Sequence, residues 1–188
     1  ALVAKERWLG QRDDPSARRL AEIAVERGTL GAEDRESREA HDAGVAAHRH
    51  LTQAAATLDS ARSWSSWDTF GGGGLFTDLM KYDRLDDVGR ELRAAEEALR
   101  AFTNEMADVH LPAAALLDID SLTSTFDVWF DNIFTDWAVR ERIIDAQRKV
   151  TCAVAEVATT VDRIRERRSE IAARLEELAT ERAVLLGG

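Results

Sequence analysis

Apolar residues in the C-terminal region recur at alternating intervals of four and three. Eleven positions from Val150 onward follow this spacing, and nine of them are apolar; Arg168 and Arg182 are the exceptions. The apolar members are Val150, Val154, Val157, Val161, Ile164, Ile171, Leu175, Leu178 and Leu185. Neither Gly nor Pro occurs between 123 and 186. Because this is the heptad period, the pattern predicts one long coiled-coil helix.

A second heptad series in the middle of the chain is apolar throughout. Its members are Leu85, Val88, Leu92, Ala95, Leu99, Phe102, Met106 and Val109. Acidic residues at 83, 86 and 87 favour a helix N-terminus. Leu111 precedes Pro112 and is therefore disfavoured in helical conformation. The series predicts a second helix that ends there.

The N-terminal region has a stripe of mostly small residues at helical spacing, which would allow another helix to approach closely. The stripe consists of Ala40, Gly44, Ala47, Leu51, Ala54 and Leu58. Pro15 follows two aspartates and suits the first turn of a helix. We expect a helix from about residue 16 to 62. A break near 10–15 should precede it, and the glycines at 28 and 31 should weaken or break it at 28–31.

These elements predict an all-α fold and allow two topologies. In the first, a long antiparallel coiled-coil hairpin, the first and second helices pair in succession with the third, whose length matches the two together. The alternative is a compact up-down-up helical bundle. The matching lengths favour the hairpin.

Charge and aromatic residues divide the chain into three parts. The segment 63–138 has 15 acidic and 5 basic residues and contains eleven of the twelve aromatic residues, whereas the rest of the chain has no net charge. Aromatic side chains bury large areas and indicate a compact core. We therefore predict an arm helix at 1–62, an acidic aromatic helical head at 63–138 and a coiled-coil arm helix at 139–188.

The junction between arm and head contains Trp64, Trp67, Asp68 and a glycine run that includes Gly71 and Gly72. Backbone N–H groups of such a run can bind phosphate. However, the Lys-Ser/Thr of a P-loop is missing, because Leu75 follows the glycines. A structural loop between helices is the simpler interpretation.

The segment 126–137 predicts an amphipathic helix. Phe126, Trp129, Phe130, Ile133 and Trp137 share one face. Asp127 and Asp131 lie largely opposite. The apolar face is a candidate groove for a partner helix or a ligand pocket. Compared with these two roles, we favour a structural one, in which the apolar face packs against the aromatic residues of the junction and forms the core of the head.

The sequence contains no convincing pattern of catalytic or metal-binding residues. His41, His48 and His50 have no evident third ligand, and no His follows an acidic residue by three positions, as a di-iron bundle requires. No nucleophile has a recognisable activating context. The sequence therefore predicts no cofactor, no metal site and no enzymatic activity.

The net charge of −10 argues against binding to nucleic acid, and no apolar run is long enough for membrane insertion. The single Cys152 cannot form an internal disulfide, which favours a cytoplasmic location.

The pattern Trp67-Asp68-x-x-Gly-Gly-Gly, followed by Phe-Asp-Asn-x-Phe-x-Asp-Trp from Phe126, resembles uncharacterised bacterial coiled-coil proteins over roughly residues 60–145. The resemblance implies that the junction and the start of the third helix belong together, and it implies no activity. The expected function is a non-enzymatic scaffold or interaction protein that binds a protein partner or self-associates through its coiled coil. The alternative is a small-molecule or metal-binding protein with an aromatic pocket in the head.

Overall fold

The structure is a computed structural model that describes residues 14–67, 75–109 and 140–187, with side chains at 14–60, 87–109 and 144–187. These residues form three helices: α1 (Pro15–Trp67), α2 (Leu75–Asp108) and α3 (Arg140–Gly187). No strand occurs in the described ranges. The predicted all-α fold is confirmed.

Helix α1 begins as the sequence predicts. Pro15 is its first residue, where the missing N–H costs no hydrogen bond. The carboxylate Oδ1 of Asp14 accepts from the N–H of Ser16 at 2.8 Å, and its carbonyl accepts from the N–H of Arg18 at 3.1 Å. Asp14 therefore caps the helix.

The described chain divides into two compact units. The first joins the start of α1, up to Arg38, with α3 from Ile164 onward. The second comprises the described residues of Glu39–Arg163, including α2. The predicted boundaries of the head stay a prediction, because most residues of 63–138 have no described side chain.

In the first unit α1 and α3 form an antiparallel hairpin. Leu20, near the start of α1, packs with Leu186, near the end of α3, and Ala17 and Leu185 lie against them. Among the described residues of this unit, the other buried apolar side chains are Ile23, Ile164, Ile171 and Leu178. The buried residues of α3 follow its predicted heptad stripe except at Leu186, whereas Leu20 and Ile23 of α1 lie outside the stripe predicted for that helix.

In the second unit α2 packs beside α1 and α3. A Cβ built on Gly44 of α1 would lie 2.8 Å from Phe102 of α2 and 2.6 Å from Val161 of α3. Gly44 lies about 35 Å from the end of α1, and Phe102 about 40 Å from the start of α2, at 1.5 Å per residue. Since only residues 68–74 join these helices, α2 runs back antiparallel to α1.

The prediction that α1 and α2 pair with successive parts of α3 is wrong, because α2 lies beside both α1 and α3 in the second unit. The length match was misleading, because Gly44 of the α1 stripe lies against both Phe102 of α2 and Val161 of α3 in the second unit. Every predicted member of that stripe is buried, as is every member of the α2 series from Val88 to Val109. The hairpin interpretation describes the first unit, and a bundle describes the second.

The predicted heptad stripe of α3 is confirmed in part, because Val154, Leu175 and Leu185 are only half-buried. Val150, Val157 and Val161 are buried as expected. Ala146, Ala153 and Thr160 are also buried in the second unit, although the predicted stripe omits them. A helix that contacts two neighbours buries a wider face than a two-stranded coiled coil requires.

The predicted weakness at Gly28 and Gly31 does not interrupt α1, which is continuous through both residues. No atom of the described structure lies within 4 Å of the position a Cβ would take at either glycine. Both residues are exposed.

Candidate functional site

The residues predicted for partner or ligand binding lie outside the described side chains. Trp64 and Trp67 belong to the last turns of α1, but only their backbone is described. The remaining candidates fall wholly outside the described residues: Asp68, Gly71, Gly72, Asp127, Trp129, Asp131 and Trp137. The aromatic groove and the junction loop therefore stay predictions.

The most organised polar feature of the described surface is a series of ion pairs between α1 and α3 in the first unit. We call it the ion-pair series; its members are Arg19–Glu181, Glu26–Arg174 and Glu33–Arg167. Successive members are seven residues apart on both helices, in opposite chain directions. The series therefore follows one edge of an antiparallel coiled coil.

The pair nearest the start of α1 is bidentate. Arg19 donates from Nε to Glu181 Oε1 at 2.6 Å and from Nη2 to Glu181 Oε2 at 2.8 Å. Its third nitrogen, Nη1, donates to Glu22 Oε2 at 3.0 Å. One planar guanidinium therefore holds two carboxylates, a geometry that lysine cannot reproduce.

The other two pairs repeat this arrangement with the arginine on α3. Arg174 Nε donates to Glu26 at 2.7 Å, and its Nη1 donates to Glu177 at 2.9 Å. Arg167 makes the equivalent bonds to Glu33 at 2.7 Å and to Glu170, three residues along its own helix, at 2.9 Å. In each case Nε bonds across the hairpin and Nη1 bonds to a glutamate at i+3.

These contacts shift the protonation equilibria in the direction that favours the charged forms. Hydrogen bonds to Glu181 and then to Glu22 raise the pKa of Arg19. Those to Glu26 and Glu177 raise the pKa of Arg174, and those to Glu33 and Glu170 raise the pKa of Arg167. The bond from Arg19 lowers the pKa of Glu181. The six side chains of the ion-pair series are between 15% and 43% exposed, so solvent screens the attraction.

A fourth ion pair between α1 and α3 involves Arg168, which is one of the two polar members of the predicted α3 series. Arg168 Nε lies 3.3 Å from Asp34 Oδ1, and Arg38 Nη2 donates to Asp34 Oδ2 at 2.8 Å. Close by on α1, Ser37 is fully buried, and its Oγ has no hydrogen-bond partner. This section of the hairpin core is therefore unusually polar.

The ion-pair series was not identified from the sequence. The available signal was the seven-residue recurrence. Positions 19, 26 and 33 lie seven residues apart on α1, and positions 167, 174 and 181 do so on α3. Charged rows with this spacing beside a core face each other in an antiparallel coiled coil, but assigning the individual pairs also requires the register of the two helices.

The row of α1 that contains positions 19, 26 and 33 continues at seven-residue spacing, and its residues change from charged to small along the helix. Its charged members Arg19, Glu26 and Glu33 pair across the hairpin of the first unit. Its later members, Ala40, Ala47 and Ala54, are buried in the second unit. The row therefore carries charge where two helices pair and small side chains where a third helix packs.

Other candidate chemistry is limited in the described part of the chain. It contains no group of three His, Cys, Asp or Glu side chains placed to hold a metal ion. His41 Nδ1 lies 3.2 Å from Asp42 Oδ1, and Cys152 is exposed. A shallow depression on α3 is lined by Ala173, Glu176, Glu177, Thr180 and Glu181. Among the described helices, none has an apolar stretch that could cross a bilayer.

Comparisons with known proteins give no relative: no family model, no curated protein and no solved structure matches the chain. The resemblance to bacterial coiled-coil proteins therefore stays a prediction. Functional inference for this protein depends on its own geometry.

Proposed function

We propose that this protein is a non-enzymatic helical scaffold or interaction protein, in which a paired helical arm supports an acidic segment that recognises a protein partner. The observation that supports the proposal best is the ion-pair series. In this series, charged side chains of α1 pair with oppositely charged side chains of α3 in one antiparallel arrangement. Such a pairing suits a structural arm of fixed geometry.

The packing of Leu20 with Leu186 adds to this argument. The first turns of α1 and the last turns of α3 lie side by side in the first unit. A chain that enters and leaves a hairpin at one place can be attached there by a single support. Helix α3 alone measures about 70 Å at 1.5 Å per residue, a length suited to spacing.

The proposed recognition surface is the acidic segment 63–138, whose net charge of −10 equals that of the whole chain. Complementary charge steers association and selects partners. We therefore expect a partner with a basic docking surface, and we place the protein in the cytoplasm as part of the same proposal.

The test is a pull-down from the native cell extract with the purified protein. Replacing Asp118, Asp120, Asp127 and Asp131 with Asn removes four charges from the acidic segment. We expect the specifically captured proteins to be lost. If capture is unchanged, the acidic segment is not the recognition surface.

The matched control removes four charges elsewhere. Glu39, Asp42, Glu97 and Asp108 are exposed residues of α1 and α2. Their replacement by Gln or Asn changes the net charge equally, and capture should persist. Loss of capture in both variants would indicate a response to net charge alone and would contradict a specific surface.

A further inference from the structure

We infer that the reversed polarity of the Arg19–Glu181 pair fixes the register of the hairpin by opposing a slip of seven residues. Arg19 lies on α1, whereas the other two arginines of the ion-pair series, Arg167 and Arg174, lie on α3. This inference concerns the pairing of α1 with α3 and does not depend on the proposed partner recognition.

A slip of seven residues is the natural competitor of the native register. The positions of a coiled-coil helix that face its partner recur every seven residues, so such a slip again places core positions opposite core positions. A slip by another number of residues moves exposed side chains into the core. Coiled-coil geometry therefore permits a set of registers one heptad apart, and specific side-chain contacts must distinguish among them.

The ion-pair series distinguishes them by charge. If the later part of α3 moves one heptad past α1 in one direction, Arg19 faces Arg174. In the other direction, Glu26 faces Glu181. Each slip thus creates one pair of like charges next to the remaining unlike pair, and only the native register pairs all three positions. Like charges at facing positions are unfavourable, and they prevent incorrect pairing.

The reversal is essential to this effect. If all three charges on α1 were acidic and all three on α3 basic, either slip would keep two unlike pairs and create no like pair. The polar contact between Asp34 and Arg168 is a second register signal in the same unit. It stays in place in every variant below, so the experiment isolates the ion-pair series.

The variant Arg19→Glu with Glu181→Arg tests the inference. It keeps every native pair and the net charge but makes the polarity uniform. Cys152 is replaced by Ser, and spin labels are attached to Thr29→Cys on α1 and Val184→Cys on α3; both positions are exposed. A seven-residue slip changes the axial separation of the labels by about 10 Å, which electron–electron double resonance resolves.

After refolding from denaturant, the wild-type pattern should give one distance. The uniform variant should show a second label-to-label distance that differs by the length of the slip. The fraction of molecules at this distance should be at least about threefold above that in the wild-type pattern. If the uniform variant shows the single wild-type distance, the inference is wrong.

The matched control exchanges the middle pair, Glu26→Arg with Arg174→Glu. Like the uniform variant, this control exchanges one pair. It places a glutamate at 174, three residues before Glu177, just as the uniform variant places one at 19, three residues before Glu22. However, each slip still creates one pair of like charges, so a single distance is expected. A second distance of equal size in this control would show that polarity is not the cause.

A second uniform variant leaves Arg19 and Glu181 unchanged. Exchanging both of the other pairs makes every α1 member basic and every α3 member acidic. It should show the same second distance as the first uniform variant. Circular dichroism establishes that each variant is helical, and a folded second variant with one distance would overturn the inference even if the first variant failed to fold.

Discussion

Phe102 of α2 lies directly over Gly44 of α1, so close that a Cβ at Gly44 would be 2.8 Å from the Cε2 atom of the ring. The same Cβ would be 2.6 Å from the Cγ2 atom of Val161 on α3. All three residues are buried. The hydrogen of glycine therefore permits the contact among three helices in the second unit.

We expect Gly44→Ala to destabilise the protein by about 1–2 kcal/mol, because overpacking costs more than the added helix propensity provides. Urea unfolding followed by circular dichroism measures the change. Gly28→Ala is the control, since nothing lies within 4 Å of its Cβ position. This exposed substitution should stabilise the protein by about 0.5–1 kcal/mol. Equal effects at both positions would contradict the proposed crowding.

The buried hydroxyl of Ser37 predicts a stabilising substitution. Its Oγ is inaccessible and has no hydrogen-bond partner, so folding removes its contacts with water without replacing them. Ser37→Ala should raise the free energy of unfolding by about 1 kcal/mol. Chemical denaturation gives this quantity.

Ser60→Ala is the matched control for Ser37. The Oγ of Ser60 is exposed and donates to the carbonyl of Ala56 at 3.1 Å. Its removal should change stability by no more than about 0.5 kcal/mol. A loss of stability in Ser37→Ala would mean that the hydroxyl is partnered in solution.

The Arg19–Glu181 contact predicts a loss of stability in acid. Because the folded pKa of Glu181 is lowered, its contribution is complete above the ordinary value of 4.5 and is lost as the pH falls through the lower folded value. Unfolding experiments between pH 7 and pH 2.5 should therefore show less acid destabilisation in Glu181→Gln than in wild type.

Arg19→Gln provides the control for this pH effect, because it removes the cause of the shift. It should reduce the acid dependence as much as Glu181→Gln does, and the double variant should reduce it no further. An undiminished pH profile in either single variant would exclude the contact as a source of acid sensitivity. The raised pKa values of the arginines affect stability only in strongly alkaline solution.

The pair of Asp34 and Arg168 predicts different effects for single and double substitution. Both side chains are roughly one quarter exposed and occupy the core stripe. Asp34→Leu alone leaves Arg168 without its carboxylate and should destabilise the hairpin by about 1–3 kcal/mol. Adding Arg168→Leu should restore at least wild-type stability, because apolar residues fit the heptad position. A double variant as unstable as the single one would contradict this interpretation.

How far the sequence determined the fold is clearest on α2. The series from Val88 to Val109 is apolar at heptad spacing, and every member is buried. Periodicity of this kind depends only on the geometry of one helix, so it can be deduced from the order of residues. The start of α1 at Pro15 was deduced in the same way, from local capping chemistry.

The candidate site was less accessible to such reasoning. The residues chosen for it, among them Trp129 and Trp137, lie outside the described residues. The ion-pair series was visible in the sequence only as seven-residue spacing of charges. Assigning Glu26 to Arg174, rather than to another arginine of α3, requires the register of one helix against the other.

The sequence by itself determined the all-α class, the helices of the described ranges, and the rows buried on α2 and on the later part of α1, because these follow from local geometry. Only the tertiary structure decided that α2 lies beside α1 and α3 in the second unit and that Arg19 faces Glu181 in the first. Periodicity specifies that a face must be covered but does not identify what covers it. The close approach at Gly44 and the polarity of the ion pairs select the partner and the register, and both depend on residues distant in sequence.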